Sequence, residues 1–235
     1  MPRRTKQDAQ TTREHLLNTA EQVFLARGLS RSSLQDIAQA AGLTRGAIYW
    51  HFADKLALFT ALLARVDLPL AQALAATERL LASAAISGQP ADPLAALRAL
   101  ALTPFALMQQ DPQARRVFTI LLHRAEFVGE LAPLAQHQHS ALSDCALRME
   151  RLFQAAADQH RLAVGVLPRH AASALLALVD GLLRLCTLGG GDGDGDAHAD
   201  ADADAGRNSG GAVQQAVAPA IDALLAGLGA DRAPA

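Results

Sequence analysis

The sequence has 235 residues, of which 51% are hydrophobic and 4% are aromatic. A chain of this length and apolar content buries a sizeable core, which excludes the collagen-like and intrinsically disordered classes. Ala and Leu supply most of the hydrophobic share and β-branched residues are sparse, so we expect an all-α protein. The only tyrosine and the only tryptophan, Tyr49 and Trp50, are neighbours.

The net charge of −2 is unevenly distributed along the chain. Residues 1–66 carry nine Lys or Arg against five Asp or Glu, a net charge of +4, and the remainder carries −6. A basic amino-terminal segment suggests contact with an anionic partner. The two cysteines, Cys145 and Cys186, predict neither a disulfide framework nor a metal site. The amino-terminal residues do not have the pattern of a signal peptide. Apolar runs such as 171–183 are interpreted as too short to cross a bilayer. We therefore expect a cytoplasmic protein without a membrane segment.

Apolar residues recur at helical spacing through the first 85 residues. The helices predicted there are 11–27, 34–41, 45–51 and 55–85. Thr11 and Glu14 form a capping-box pattern at the start of the first helix, and Gly28 ends it. The second and third helices are joined by a three-residue turn that contains Gly42. They have the proportions of a helix-turn-helix.

The rest of the chain also has helical patterns. Asp-Pro pairs at 92–93 and 111–112 each predict a helix start, and Pro104 predicts a kink or a division between them. Further helices are predicted at 133–160, 168–188 and 213–228. Residues 189–211, rich in Gly and Asp, predict a disordered loop.

Residues 33–55 read SLQDIAQAAGLTRGAIYWHFADK. This segment resembles the DNA-binding signature of the TetR family of bacterial transcriptional repressors. The basic run 3–6, the segment 46–52 and the HRAEF sequence at 123–127 resemble the AcrR-type branch, whose members regulate multidrug efflux pumps. The resemblance extends to about residue 187, and the branch has no counterpart of residues 189–211.

The resemblance implies an all-α homodimer. An amino-terminal three-helix helix-turn-helix domain, residues 1–66 with recognition helix 45–51, would bind DNA. A larger helical domain, residues 67–235, would bind the ligand and dimerise. The implied function is repression at a near-palindromic operator, released by a small hydrophobic ligand of drug or antibiotic type, with a multidrug efflux operon as the target. The alternative is a TetR-like regulator of a metabolic or catabolic operon that responds to a metabolite. Neither function requires a cofactor, a metal or catalytic residues, and no enzyme motif is found.

The recognition helix supplies most of the predicted DNA contacts. Arg45 is its long side chain with several donors, suited to guanine or phosphate, while Tyr49 and His51 suit phosphates. Trp50 is predicted to be a packing residue or a contact to the DNA backbone. The full predicted set is Arg3, Arg4, Lys6, Ser33, Thr44, Arg45, Gly46, Ala47, Tyr49, Trp50, His51 and Lys55. Ser33 and Thr44 are helix caps with or without a phosphate contact. Lys55 is either a phosphate contact or a solvated charge.

The resemblance places the ligand cavity between helices of the larger domain. Its predicted lining is Leu97, Leu100, Phe118, Leu122, Cys145, Leu176, Val179, Asp180 and Leu183. Asp180 either orients a polar or cationic ligand or pairs with Arg184, because an unpaired buried carboxylate is costly. Cys145 is either a pocket residue or a buried apolar thiol.

Overall fold

A computed structural model describes residues 6–87, 92–188 and 202–229. The described residues form nine α-helices with a π-helical turn, Ile120–Arg124, and a 3₁₀ turn, Gly129–Leu131. The helices are α1 Lys6–Arg27, α2 Leu34–Ala40, α3 Arg45–His51, α4 Lys55–Ser87, α5 Pro93–Gln110, α6 Pro112–Thr119, α7 Ala132–Asp158, α8 Pro168–Leu188 and α9 Asp202–Leu228. Within these ranges there is no β-strand, so the all-α prediction is confirmed.

The chain divides into two compact units. Unit 1 comprises Met1–Leu68 and Asp111–Gln138, and unit 2 comprises Pro69–Gln110 and His139–Ala235. Helix α4 continues from the first unit into the second without a break. The predicted division after residue 66 assigns the segment 111–138 to the second domain, whereas the structure places it in unit 1. Contacts between residues far apart in sequence, such as the ion pair between Glu21 and Arg116, hold it there.

Unit 1 is organised around α1. This helix packs against α2, α6 and the π-helical turn, and α2 packs against α3. The Phe24 and Phe59 rings meet edge to face, with their centroids 6.0 Å apart. The other large buried side chains of this core include Leu16, Leu17, Ile37, Ile48, Leu58 and Leu62. Gly28 ends α1 with a φ of +82°, and the next amide, of Leu29, donates to the Arg124 carbonyl oxygen at 2.8 Å.

Helix α1 begins five residues before the predicted start, and the capping-box prediction for Thr11 is wrong. Thr11 lies inside the helix, where its hydroxyl group donates to the Gln7 carbonyl oxygen at 3.1 Å. Glu14 instead bonds the guanidinium group of Arg65, with Oε2 and Nη2 2.8 Å apart. Because the Thr11 hydroxyl group bonds a carbonyl oxygen of the preceding turn, it does not cap the helix.

Unit 2 is built from helices packed on one another. α5, α8 and α9 are in mutual contact, and a bidentate pair joins Arg98 of α5 to Asp222 of α9. Pro104 lies inside α5, which continues through it to Gln110, so the helix is not divided there.

The predicted loop 189–211 is only partly testable, because residues 189–201 lie outside the described residues. From Asp202 onward the chain is helical, so the loop boundary at 211 is wrong. Ala203, Ala205 and Ala212 are strong helix formers. The three glycines between Asp202 and Gly211, and the Asp, Asn and Ser residues beside them, oppose a helix. Local propensity therefore does not account for this extension, which continues the helix of the apolar segment after residue 212.

Three helical stretches are long and apolar enough to cross a membrane by length and composition: Lys55–Arg79, Pro168–Leu188 and Gly211–Leu228. The interpretation that the apolar runs are too short is therefore wrong on those two criteria. Two of these stretches belong to α8 and α9, which pack against each other within unit 2. A helix with apolar residues around much of its circumference is also typical of the interior of an all-α unit.

Candidate nucleic-acid interface

The helix-turn-helix follows the predicted bounds closely. Helix α2 ends at the C-cap Ala41, and Gly42 has a φ of +66°, the left-handed conformation that glycine adopts without strain. The amide of Gly42 donates to the Gln39 carbonyl oxygen at 3.0 Å, and the amide of Leu43 donates to the Ala38 carbonyl oxygen at 2.9 Å. These bonds close α2 and set the direction in which the chain enters α3.

Both predicted caps are formed. The Ser33 hydroxyl accepts the Asp36 amide at 3.2 Å, and the Asp36 carboxylate accepts the Ser33 amide at 2.9 Å, which completes a capping box. The hydrogen bonds from the Ser33 side chain and backbone hold the pKa of the Asp36 carboxyl below its ordinary value. Thr44 caps α3 by accepting the Ala47 amide at 3.2 Å. Ser33 and Thr44 are both exposed while they perform this role.

Helix α3 has a buried face and an exposed face. Ile48 is fully buried, and Phe52, which follows the helix, is 3% exposed. On the other face Tyr49 is 46% exposed and Trp50 is 72% exposed. The packing role predicted for Trp50 is therefore wrong, because the indole lies mostly in solvent. Its ring meets the His51 ring edge to face, with the centroids 4.6 Å apart.

Arg45 lies on the exposed side of α3. Its Cζ atom is 5.5 Å from the centroid of the Tyr49 ring. Gly46 next to it is exposed, and a Cβ atom added there would approach only the Thr44 hydroxyl, at 4.0 Å. Neighbouring protein atoms therefore do not require a glycine at this position. A missing side chain on an exposed helix face allows a partner to approach the backbone closely.

Lys55 does not belong to the exposed surface. The residue is 8% exposed, and its Nζ atom donates to the carbonyl oxygens of Ser32 at 3.0 Å and Ser30 at 3.4 Å. The same ammonium group forms an ion pair with Glu130 at 3.1 Å. Three protein acceptors match its three donors, so the structure supports neither the predicted phosphate contact nor the solvated charge. Lys55 instead ties the start of α4 to the loop after α1.

Of the basic arm predicted before α1, Lys6 is exposed at the first described position, and Arg3 and Arg4 lie outside the described residues. Ala47 and His51 are half-buried on α3. The structure thus brings the predicted residues 44–51 together on one short helix, with Ser33 at the start of the helix before it.

The sequence interpretation overlooked a buried ion cluster in unit 1. Glu21 is fully buried in α1 and pairs with the guanidinium groups of Arg65 in α4 and Arg116 in α6, the latter with Nε and Oε2 3.1 Å apart. Burial raises the pKa of Glu21, and the two positive charges oppose that rise. The signal was present in the sequence: Glu21 lies four residues after Leu17 and three before Phe24, on the apolar face of α1.

Unit 2 contains a cavity of about 390 Å³ bounded by α4, α5 and α7. Its lining is Leu74, Thr77, Glu78, Pro93, Leu100, Arg148, Arg151, Leu152, Ala155 and Gln159. Arg148 and Glu78 form an ion pair, with Nη1 and Oε1 2.6 Å apart. Five of the ten lining residues are apolar and five are polar or charged.

Of the nine predicted ligand residues, Leu100 lines this cavity. Leu97, Val179 and Leu183 are buried, and Leu176 and Cys145 are half-buried, all in unit 2. Burial raises the pKa of the Cys145 thiol. Phe118 and Leu122 belong to unit 1. Asp180 bonds Arg184, with Oδ2 and Nε 2.9 Å apart, so the pairing alternative for Asp180 is confirmed.

The chain matches two family models. Residues 16–62, from α1 into α4, match the amino-terminal model of the bacterial regulatory proteins of the tetR family. Residues 92–190 match the carboxy-terminal region of MAATS-type transcriptional repressors. The chain is also 39% identical over 184 residues to the HTH-type transcriptional regulator TtgR of Pseudomonas putida, covering 78% of this chain and 84% of TtgR. It belongs to the TetR family.

Two solved structures extend the similarity to the whole TetR fold. One is NalD, the secondary repressor of the MexAB-OprM multidrug efflux pump in Pseudomonas aeruginosa, with 33% identity, a TM-score of 0.73 and coverage of 96% of this chain and 100% of NalD. The other is a complex of SmeT with triclosan, with 29% identity, a TM-score of 0.69 and coverage of 94% and 93%. SmeT is the repressor of the Stenotrophomonas maltophilia pump SmeDEF. The chain is a DNA-binding transcriptional repressor of the TetR family, and the relatives named here are regulators and repressors.

Proposed function

We propose that the chain binds a near-palindromic operator as a homodimer and that α3 of each protomer enters the major groove. The exposed face of α3 is the observation that carries the proposal. It presents Arg45, Tyr49 and Trp50 to solvent while Ile48 anchors the helix in the core. A two-fold dimer would place its recognition helices in successive major grooves about 34 Å apart.

Within this interface the residues of α3 have distinct roles. Arg45 reads a base edge, because its planar guanidinium group matches the two acceptors of guanine. Exposed Gly46 and half-buried Ala47 let the backbone approach the groove. Tyr49 and His51 bind phosphates, and Trp50 contacts the DNA backbone. The remaining proposed contacts come from the basic arm, Arg3, Arg4 and Lys6, and from the exposed caps Ser33 and Thr44. Lys55 is not included, since its ammonium group bonds protein acceptors.

We further propose that a small hydrophobic ligand bound in unit 2 releases the repressor from DNA and that the regulated genes encode a multidrug efflux pump. The cavity of about 390 Å³ is large enough for such a ligand, and its mixture of leucines with the Glu78–Arg148 pair accommodates an apolar body that carries a polar group. The relation to NalD and SmeT, both repressors of multidrug efflux pumps, supports this target. Such a repressor acts in the cytoplasm by binding, without a cofactor or catalysis.

The single tryptophan provides the test of this proposal. Trp50 is the only source of indole fluorescence, and it lies exposed beside the proposed DNA contacts. We expect its emission to change when the full chain binds a duplex that it has selected from a random pool. We expect triclosan, used as the probe, to restore the free signal and to lower the anisotropy of a labelled duplex.

The control variant is Trp50→Phe, which has no indole fluorescence. Its binding is measured by the anisotropy of the labelled duplex alone. Emission that stays constant while the labelled duplex binds would contradict the position of Trp50 in the interface. A duplex that remains bound in saturating triclosan, but is released by a cellular metabolite, would favour the regulator of a metabolic operon over the efflux regulator.

A further inference from the structure

Arg45 and Tyr49 lie four residues apart on α3, which places their side chains on the same face of the helix. The Arg45 Cζ atom lies 5.5 Å from the Tyr49 ring centroid. At that distance a guanidinium group is attracted to the face of an aromatic ring. Within the described part of the chain, no ion pair or hydrogen bond of the Arg45 guanidinium competes with this contact.

We propose that the Tyr49 ring positions the Arg45 guanidinium for base readout, which makes Tyr49 a positioning residue for DNA specificity as well as a phosphate ligand. The inference rests on the proposed function, in which Arg45 reads a base. It assigns the ring and the hydroxyl group of Tyr49 to two separate tasks.

The physical reason is the freedom of an exposed arginine. Such a side chain samples many rotamers, and binding one base confines it to few of them. A ring that already attracts the guanidinium group reduces this loss before DNA arrives. The guanidinium group carries five N–H donors, so attraction to one ring leaves donors available for a base edge.

The effect is expected on discrimination between bases. Bidentate bonding to the O6 and N7 atoms of guanine needs two donors in a fixed direction. A guanidinium group without the ring beneath it reaches neighbouring acceptors more easily, and the penalty for a wrong base falls. The Tyr49 hydroxyl group acts differently, because a bond to phosphate strengthens binding to every sequence alike. Tyr49 is 46% exposed on α3.

The test measures competition binding of the full chain to its selected duplex and to duplexes with each single base pair changed. Tyr49→Phe keeps the ring and removes the hydroxyl group, whereas Tyr49→Leu and Tyr49→Met remove the ring but keep a good helix former. We expect Tyr49→Phe to retain the discrimination at the base pair that Arg45 reads. We expect the Leu and Met variants each to reduce it by a factor of about two to five, with the other positions unchanged.

The reference variant is Arg45→Ala. The double variant Arg45→Ala/Tyr49→Leu should discriminate at that base pair no worse than Arg45→Ala alone, since the ring acts through the arginine. Three results would overturn the inference. The Leu and Met variants could remain as selective as the wild type, or they could weaken binding to all duplexes equally. The Tyr49→Phe variant could also lose the same selectivity as the Leu and Met variants. If the Arg45→Ala variant discriminates at every base pair as well as the wild type, the proposed readout by Arg45 is itself contradicted. That result is distinct from a failure of the Tyr49 inference.

Discussion

Replacing Glu21 by alanine is expected to lower the free energy of unfolding by about 3–5 kcal/mol. Glu21 is fully buried, and its carboxylate faces the guanidinium groups of Arg65 and Arg116. Removing it leaves two positive charges that are largely shielded from water without their common partner. Because the three residues lie on α1, α4 and α6, the loss is expected to loosen the packing of unit 1 as a whole. Urea denaturation followed by far-UV circular dichroism measures it.

Glu14→Ala is the matched control, since Glu14 bonds the same arginine, Arg65, from a side chain that is 44% exposed. The Glu14 end of this pair lies partly in water, which weakens the attraction, so we expect this variant to lose about 0–1 kcal/mol, clearly less than Glu21→Ala. Equal and small effects of the two variants would show that the Glu21 cluster does not stabilise unit 1.

Arg45→Ala is expected to weaken binding to the selected duplex by about 1–3 kcal/mol and to relax the preference at one base pair in each half-site. The variant leaves the core unchanged, because the Arg45 side chain is exposed and its described contact is with the Tyr49 ring. Competition binding against single-base variants of the duplex measures both effects. If Arg45 bonds a base, the slope of log K against log salt should stay near the wild-type value, whereas loss of a phosphate contact reduces it by about one.

Arg169→Ala is the control for charge. Arg169 is an exposed arginine on α8 in unit 2, so its replacement changes the net charge equally without touching α3. We expect its affinity and base preferences to match those of the wild type. Equal losses of affinity in the two variants would mean that Arg45 contributes only its charge, and would contradict its role in base readout.

The sequence predicted the helix-turn-helix well because its signals are local. Ser33, Gly42 and Thr44 each fix the chain through hydrogen bonds or a backbone angle within a few residues. The starts of α1 and α9 both lie earlier than predicted. Residues 6–10 include good helix formers, so α1 extends past the local cap pattern, whereas the three glycines in 206–211 made the start of α9 resemble a loop. Local patterns therefore located the recognition helix, α3, but not the limits of the long helices.

Residues whose environment depends on distant partners were misjudged. Lys55 reads as a charge at a helix start, yet carbonyl groups of the loop after α1 and Glu130, 75 positions away, enclose its ammonium group. For Trp50, the packing alternative was wrong and the contact to the DNA backbone stays a prediction, because Ile48 occupies the buried face of α3 and leaves the indole exposed. The environment of Lys55 does not follow from spacing along one helix, whereas the exposure of Trp50 follows from the burial of Ile48 on the same helix.

The predicted ligand pocket shows the same limit. Apolar residues on α5 and α8 were correctly expected in the interior, where Leu97 and Val179 are buried. Which of them line a cavity depends on how α4, α5 and α7 are turned toward one another. The sequence therefore missed the Glu78–Arg148 pair that lies at the cavity.

The central claim, sequence-specific repression by a dimeric DNA-binding protein, is tested most directly by equilibrium binding of the full chain over a series of salt concentrations. The two ligands are its selected duplex and a shuffled duplex of equal length and composition. We expect two chains per site, a preference of at least about a thousandfold for the selected duplex, and affinity that falls steeply with salt. Equal affinity for the two duplexes, or binding that does not depend on salt, would contradict the claim.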